Sequence, residues 1–432
     1  MPATTACPIE LVGHATLLVR SGGRALLTDP WLVDPMGCGS GFHFPPLVHD
    51  AEAVAAETDA IYISHIHPDH FHPPSLELFA KTTPIYIGDY TRKDFRDAVA
   101  ELGFPVLEVP FQTLAPVEGT PFRIAIVEHD YDESAAYDSS LVVETPEYTL
   151  FENNDCFLSD EKYRWVASAF DVDFAFLGYS AASFFPICFE MPEDEKQRLL
   201  DEAAERRYRD FVHAAELLAP RVAVPFASGA RFLLASALWK NVSFNSPVEA
   251  LRRLDGCGAR GAILNPGDGL RLDGSVDRHA PILEQEDELP ALESYARSVQ
   301  PWVERVQREA AVPQPGLVDR FAEHVLGLWR SVGPQVPGVA DTVIAYVLTG
   351  DEEERFYFDF TAADGRVFRR GEPERYDMRY TYPAGGLQLV LDGEIDWDQL
   401  HFTDAVSVHQ VRYARDFYKM LRSDMLDLER AS

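Results

Sequence analysis

The sequence predicts an α/β chain in which two sheets are covered by helices, and three observations predict it. Short apolar runs of strand length alternate with turn residues over about the first 270 positions. Amphipathic segments are interleaved with them, the longest being MPEDEKQRLLDEAAERRYRDFVHAAELLAP at 191–220. Repeated strand blocks with interspersed helices bury their apolar faces by stacking in layers.

IELVGHATLLVR (9–20) and RALLTDPWL (24–32) read as strands joined by Ser21-Gly22-Gly23, a hairpin signal. AIYISH (60–65) is the apolar run expected of a strand buried on both faces. Pro73-Pro74 open the next helix, because proline is tolerated in a first turn, and His72 is expected to cap it. PIYIG (84–88), PVLEVP (105–110), FRIAIVEHD (122–130), SLVVETP (140–146), YTLFENND (148–155) and FAFLGY (174–179) read as further strands. The 191–220 helix carries acidic residues in its first turn and proline after its end, and RVAVPF (221–226) returns as a strand. Composition shifts at LEQEDELPALE (283–293); an amphipathic helical region follows from Leu292 to Trp329, and SVGPQVPGV (331–339) reads as a linker. Beyond Asp341 the pattern is strand-like again, closed by a C-terminal helix. The expected division is a main domain at 1–282, a helical connector at 283–340 and a small α+β accessory domain at 341–432. Phe356, Tyr357, Phe358 and Phe360 read as sheet core rather than as a lipid cleft.

With 432 residues, 46% of them hydrophobic and 12% aromatic, the chain has globular composition and length for several domains. No apolar run approaches the ~18 residues of a membrane-spanning helix. The N-terminal stretch lacks a basic, apolar and small-residue succession, so no secretory signal is expected. Cys7, Cys38, Cys156, Cys188 and Cys257 are scattered, odd in number and form no CxxC pair, which fits a cytoplasmic, reduced setting. The net charge of −32 repels phosphate backbones and anionic lipids, excluding nucleic acid and membrane as expected partners. A small-molecule substrate is compatible with it, even an anionic one if metal or local arginine holds it.

The chemistry concentrates in IYISHIHPDHFH (61–72). His65 and His67 are two residues apart, so in an extended segment both point to one side. Pro68 ends the extension, and the turn after it brings Asp69 and His70 round as a second pair. Neutral imidazole and carboxylate are ligands of first-row metals, and two adjacent metal positions can share this loop. With 13 histidines in the whole chain, HxHxDH directly after an apolar strand is not a chance cluster.

This motif, together with GHATLLV and LLTDPWL, resembles the metallo-β-lactamase superfamily in its lactonase and phospholipase-like branch. The resemblance implies a four-layered αββα sandwich with a metal site at one edge. It implies that His65 and His67 hold one metal and Asp69 and His70 the other, with Asp69 also orienting an attacking hydroxide. His129 in RIAIVEHD fits the expected third histidine of the first metal, and Asp155 in YTLFENNDC the bridging aspartate; Asp130 and Asn154 are their near alternatives. The superfamily's last histidine is expected near 224–251, a segment without histidine. One metal or two therefore stays open, and an open coordination position is what direct binding of O2 or substrate would use.

A narrower resemblance runs along nearly the whole chain. DPWL, SHIHPDHFHPPSL, ENNDC, SAASFFPICFE, VPFAS, NSPVEAL and LNPGD look like the cytidine-monophosphate-N-acetylneuraminate hydroxylase family, and LVLDGEIDWDQL is similar to a sterol-carrier-like tail. That family carries a Rieske iron–sulfur domain, whose CxH and CxxH ligands this sequence lacks, so no Rieske cluster is expected in this chain. Electrons for an iron oxygenase would then come from a separate donor or from the substrate. His14, His43, Tyr179, Ser228 and Arg231, with Ser180, are candidate substrate contacts; His43 is also a candidate for the missing ligand, and His14 for a supporting position beside the metals.

Two chemistries suit this donor set. A non-haem diiron oxygenase acting on a small polar or nucleotide-like metabolite is favoured by the collinear resemblance. The alternative is a dinuclear zinc hydrolase of an ester, lactone or phosphodiester, in which metal-bound water is acidified to about pKa 7. A purely structural metal site would close its shell with protein ligands, which this set does not do.

Overall fold

The structure is a computed structural model that describes residues 7–130, 138–156, 158–180, 183–310, 312–403 and 406–421. Its main part is two mixed sheets packed face to face. The first has eight strands in the spatial order Val276–Asp277, Gly269–Leu270, Ile9–Gly13, Thr16–Ser21, Arg24–Thr28, Ala60–Tyr62, Ile85–Gly88, Val106–Val109. The second has seven, in the order Arg260–Gly261, Val222–Phe226, Phe174–Gly178, Thr149–Glu152, Ser139–Glu144, Arg123–Glu128, Ala115–Pro116.

Side-chain alternation sorts the strands into layers. Leu17, Val19, Leu26 and Tyr62 meet Ile124, Ile126, Leu141, Phe174, Phe176 and Val224 between the sheets. The alternate residues Leu18, Leu27, Ile61 and Ile85 face outward, under Val54 of helix Ala51–Glu57 and Phe95 and Val99 of helix Asp94–Glu101. On the far side Val127, Val142, Phe151 and Leu177 lie under helices Asp160–Ala169 and Glu193–Leu218, through Tyr163, Val166, Phe211 and Leu218. The result is the αββα sandwich.

Two of the boundaries that differ from the sequence expectation matter for the site. The 9–20 run is a hairpin, not one strand: Ile9–Gly13 pairs antiparallel with Thr16–Ser21, and His14 sits in the turn at φ 44°. Continuous apolar alternation hides such a turn, because turning costs only two residues. The 24–32 segment leaves its sheet after Thr28, since Asp29 adopts φ 38° and redirects the chain towards the metal-motif loop.

Helix Gln285–Ala310 lays Leu292, Ala296 and Val303 on Phe42, Phe44 and Phe232 of the sandwich. Helix Leu317–Ser331 instead joins the C-terminal core through Phe321 and Val325. That core is built on a five-stranded sheet of order Phe368–Arg370, Glu354–Asp359, Val343–Thr349, Met378–Pro383, Ser407–Gln410. Phe356 and Phe358 are fully buried within it, against Tyr346 and Tyr380. Its short helix Trp397–Thr403 reaches the sandwich: Gln399 Nε2 donates to Ser40 Oγ (2.8 Å) and Lys240 Nζ to the His401 carbonyl (2.6 Å).

Candidate metal centre

Strand Ala60–Tyr62 lies between two parallel neighbours, so its backbone is paired on both edges and its end is fixed. Just beyond it the Ser64 amide and hydroxyl both donate to the Asp29 carboxylate, each at 2.7 Å. Tyr90 Oη donates to the Ser64 carbonyl (2.7 Å), and Tyr62 Oη lies 2.9 Å from Ser139 Oγ of the second sheet. The following loop closes on itself, with the amides of His70 and Phe71 donating to the His67 carbonyl. His72 occupies the N-cap position of helix Pro73–Leu76, its Nδ1 2.7 Å from Ser75 Oγ.

Asp29 and Ser64 decide which way the motif histidines present their lone pairs. A carboxylate only accepts, so the single Ser64 hydroxyl proton goes to Asp29 and Oγ is left to accept from His65 Nδ1, 2.9 Å away. His70 Nδ1–H donates to Asp29 Oδ2 at 2.7 Å. In their neutral forms both rings thus carry the proton on Nδ1 and turn the Nε2 lone pair into the site, the arrangement that orients metal-binding imidazoles.

The ligand atoms converge. Those of His65, His67 and Asp155 lie within 4.8 Å of one another, and so do those of His14, Asp69 and His70. Asp155 Oδ1 is 3.8 Å from His65 Nε2 and 3.6 Å from His70 Nε2, so one oxygen faces both groups. Asp69 Oδ2 is 3.8 Å from His70 Nε2. His67 Nε2, His70 Nε2 and Asp155 Oδ1 are buried without a hydrogen-bond partner among the described residues. Separations of this size are those of atoms sharing a cation at about 2.0–2.2 Å each.

The electrostatics say the same. Burial would raise Asp69, but His70, His14 and His67 outweigh it and hold the carboxylate well below its usual range. Burial lowers His70, yet Asp155, Asp69 and Asp29 outweigh it and hold its proton well above the ordinary histidine value. Asp138 and Glu152 are pushed well up, first by burial and then by Asp155 and Asp29 respectively. A pocket this acidic keeps protons on its own groups unless a cation supplies the positive charge, so the donor set fits metal.

His129 is not gathered into either of these groups but lies in a third, with Asp138 and Cys156, whose ligand atoms are also within 4.8 Å of one another. Its Nδ1 lies 3.1 Å from Cys156 Sγ and 3.7 Å from Asp138 Oδ2, and burial lowers it to about 4. Asp138 stands between the two histidines, with Oδ1 3.6 Å from His65 Nδ1 and no hydrogen-bond partner for that oxygen among the described residues. Asp130 pairs with Lys162 (2.8 Å), and Asn154 Oδ1 accepts the amides of Asp155 and Cys156, shaping the Asp155 loop. His43 is buried, tied to Asp34 (2.8 Å) and packed on Trp31, outside both ligand groups.

A pocket opens over the centre, lined by His14, His67, Asp69, Asp155 and Ser180 and by Asp396, Asp398 and Gln399 of the C-terminal part. An adjoining pocket is lined by His14, Tyr179, Ser228 and Arg231. Arg231 is already engaged there, donating to the Ser228 and Ala230 carbonyls and to Glu288 (2.5 Å). Asp29, Ser64, Asp138 and Glu152 are site residues that motif reading misses. Only Asp29 carries a signal, an aspartate ending a buried strand before proline.

Residues 8–128 match the family described as the Beta-lactamase superfamily domain. A putative Rieske 2Fe-2S iron-sulfur protein of Mycolicibacterium smegmatis is 26% identical over 90% of this chain and 79% of its own length. The cytidine monophosphate-N-acetylneuraminic acid hydroxylase of Danio rerio is 27% identical over 51% of this chain, which spans 37% of that relative. A UPF0173 metal-dependent hydrolase of Pyrobaculum arsenaticum is 26% identical over 61% of this chain and 99% of its own.

Proposed function

We propose, from the premise that this chain has the metallo-β-lactamase fold and the metal-dependent chemistry that goes with it, that it is a non-haem diiron oxygenase acting on a small polar metabolite. The observation that carries the two-metal reading is Asp155 Oδ1, which faces His65 Nε2 on one side and His70 Nε2 on the other. His65, His67 and Asp155 would hold one ion, and Asp69, His70 and Asp155 the second. His129 and Asp138 are the candidates for the remaining donor of the first, told apart by metal content of His129→Ala and Asp138→Asn. Iron held by nitrogen and carboxylate with open positions activates O2.

The residues of the chain do the rest. Asp29 and Ser64 keep the His65 and His70 lone pairs aimed inward. The C-terminal roof at Asp396 and Gln399 narrows access of water to the pocket. No lysine or arginine lines this pocket among the described residues, so a neutral or cationic polar substrate suits it better than a nucleotide phosphate. Relatives named for a Rieske protein and a hydroxylase support redox chemistry; its electrons would come from a separate donor or from the substrate. The hydrolase relative supports the second reading, a dinuclear zinc hydrolase of an ester, lactone or phosphodiester.

Elemental analysis of protein purified without added metal, with Mössbauer spectra, tests this. A pair of irons per chain whose spectrum responds to O2 is the expected result. Zinc alone, retained when iron is offered during reconstitution, would overturn the oxygenase reading in favour of hydrolysis.

A further inference from the structure

We infer that His14 is a built-in hydrogen-bond donor for an oxygen atom of the molecule that binds beside Asp69, and not a metal ligand. The inference rests on the metal-centre reading above and assigns an imidazole to which that reading gives no role.

The argument is the tautomer. His65 and His70 give their Nδ1 protons to Ser64 and Asp29 and so present lone pairs at Nε2. His14 is wired the opposite way: the Gly229 amide donates to its Nδ1 at 3.1 Å. A neutral imidazole has one N–H and one lone pair, so with the lone pair at Nδ1 the proton sits on Nε2. A nitrogen that carries its proton offers nothing to a metal. His14 Nε2 lies 3.2 Å from Asp69 Oδ2 and makes no well-formed hydrogen bond to it or to another atom among the described residues. It is therefore a buried N–H whose hydrogen bond is incomplete, in a residue only 7% exposed.

The fold holds the ring in that setting. His14 occupies the left-handed turn of the first hairpin, and Gly229 packs so closely that a Cβ there would lie 2.9 Å from the His14 backbone. The ring edge rests against His70 and Trp31. His14 also walls both pockets, beside Asp69 in the one over the centre. The ligand class this recognises is an oxygen acceptor directed at the metals: a carbonyl or a hydroxamate.

The test uses the full chain loaded with cobalt(II) and acetohydroxamate as probe. His14→Phe should keep the parent's cobalt stoichiometry while its acetohydroxamate affinity falls about tenfold, the worth of one hydrogen bond, and His14→Gln, which retains an N–H donor, should recover part of it. Loss of a cobalt ion in both variants would make His14 a ligand and overturn the inference, as would unchanged affinity in His14→Phe. A parent that takes up no cobalt sinks the metal-centre reading instead. The donor assignment is then decided on the metal-free parent, by long-range proton–nitrogen correlation of labelled histidines: a His14 proton on Nε2 upholds it, and one on Nδ1 overturns it.

Discussion

At the scale of single residues the centre depends on groups that never touch a metal. Asp29 is fully buried and accepts from Ser64 twice and from His70 once. Asp29→Asn replaces one acceptor oxygen by an NH2 group, a donor that cannot accept from Ser64 or His70. Metal affinity, measured by competition with a chelator, should fall about 10–100-fold, as is usual when the partner of a ligating histidine is changed; undiminished affinity would remove Asp29 from the centre. Proton linkage gives a second expectation. His70 holds its proton well above the ordinary value because Asp155, Asp69 and Asp29 surround it, and a metal must displace that proton. Uptake should therefore release protons at neutral pH, seen by calorimetry in buffers of different ionisation enthalpy. The sign follows: affinity falls as pH drops below the raised His70 value, by about tenfold per pH unit for each proton displaced. His65 and His129, held down by burial, are already neutral there and contribute no such dependence. HxHxDH was legible in the sequence because its spacing is itself the signal. Asp138 and Glu152 were not, since a carboxylate at a strand end looks alike whether it faces solvent or a buried imidazole.

At the scale of elements the site is a junction between the sheets. Tyr90 Oη donates to the Ser64 carbonyl and lies 2.8 Å from Ser139 Oγ, tying the end of strand Ala60–Tyr62 to strand Ser139–Glu144. Tyr90→Phe removes this link while Ser139 Oγ still donates to the Ser64 carbonyl, and should lower stability by about 1 kcal/mol, read from denaturant unfolding. A null change would mean that the two sheets hold the loop without this link. The strands themselves were readable from apolar alternation, as Leu17, Val19 and Leu18 illustrate by facing opposite layers. The turn at His14 was not. It splits an unbroken apolar pattern, and only the pairing of Ile9–Gly13 with Thr16–Ser21 shows the chain reversing.

At the scale of the whole molecule a charge of −32 sits on one chain. Self-repulsion of that size opposes the compact state and is screened over about 8–10 Å at physiological ionic strength. The melting temperature should rise when a low-salt buffer is brought to physiological sodium chloride, and a fall would show that attractive surface pairs outweigh the repulsion. The C-terminal part also matters at this scale, because Asp396, Asp398 and Gln399 cover the metal pocket from far along the chain. The sequence by itself determined the layered α/β fold, the metal motif and the acidic balance, since period, spacing and composition are local or additive properties. Only the tertiary structure decided that His14 turns a proton and not a lone pair to the site, that Asp29 and Ser64 aim the ligands, and that a distant helix roofs the pocket. Those facts depend on which hydrogen-bonding atoms the folded backbone brings within 3 Å, and no pattern along the chain records them.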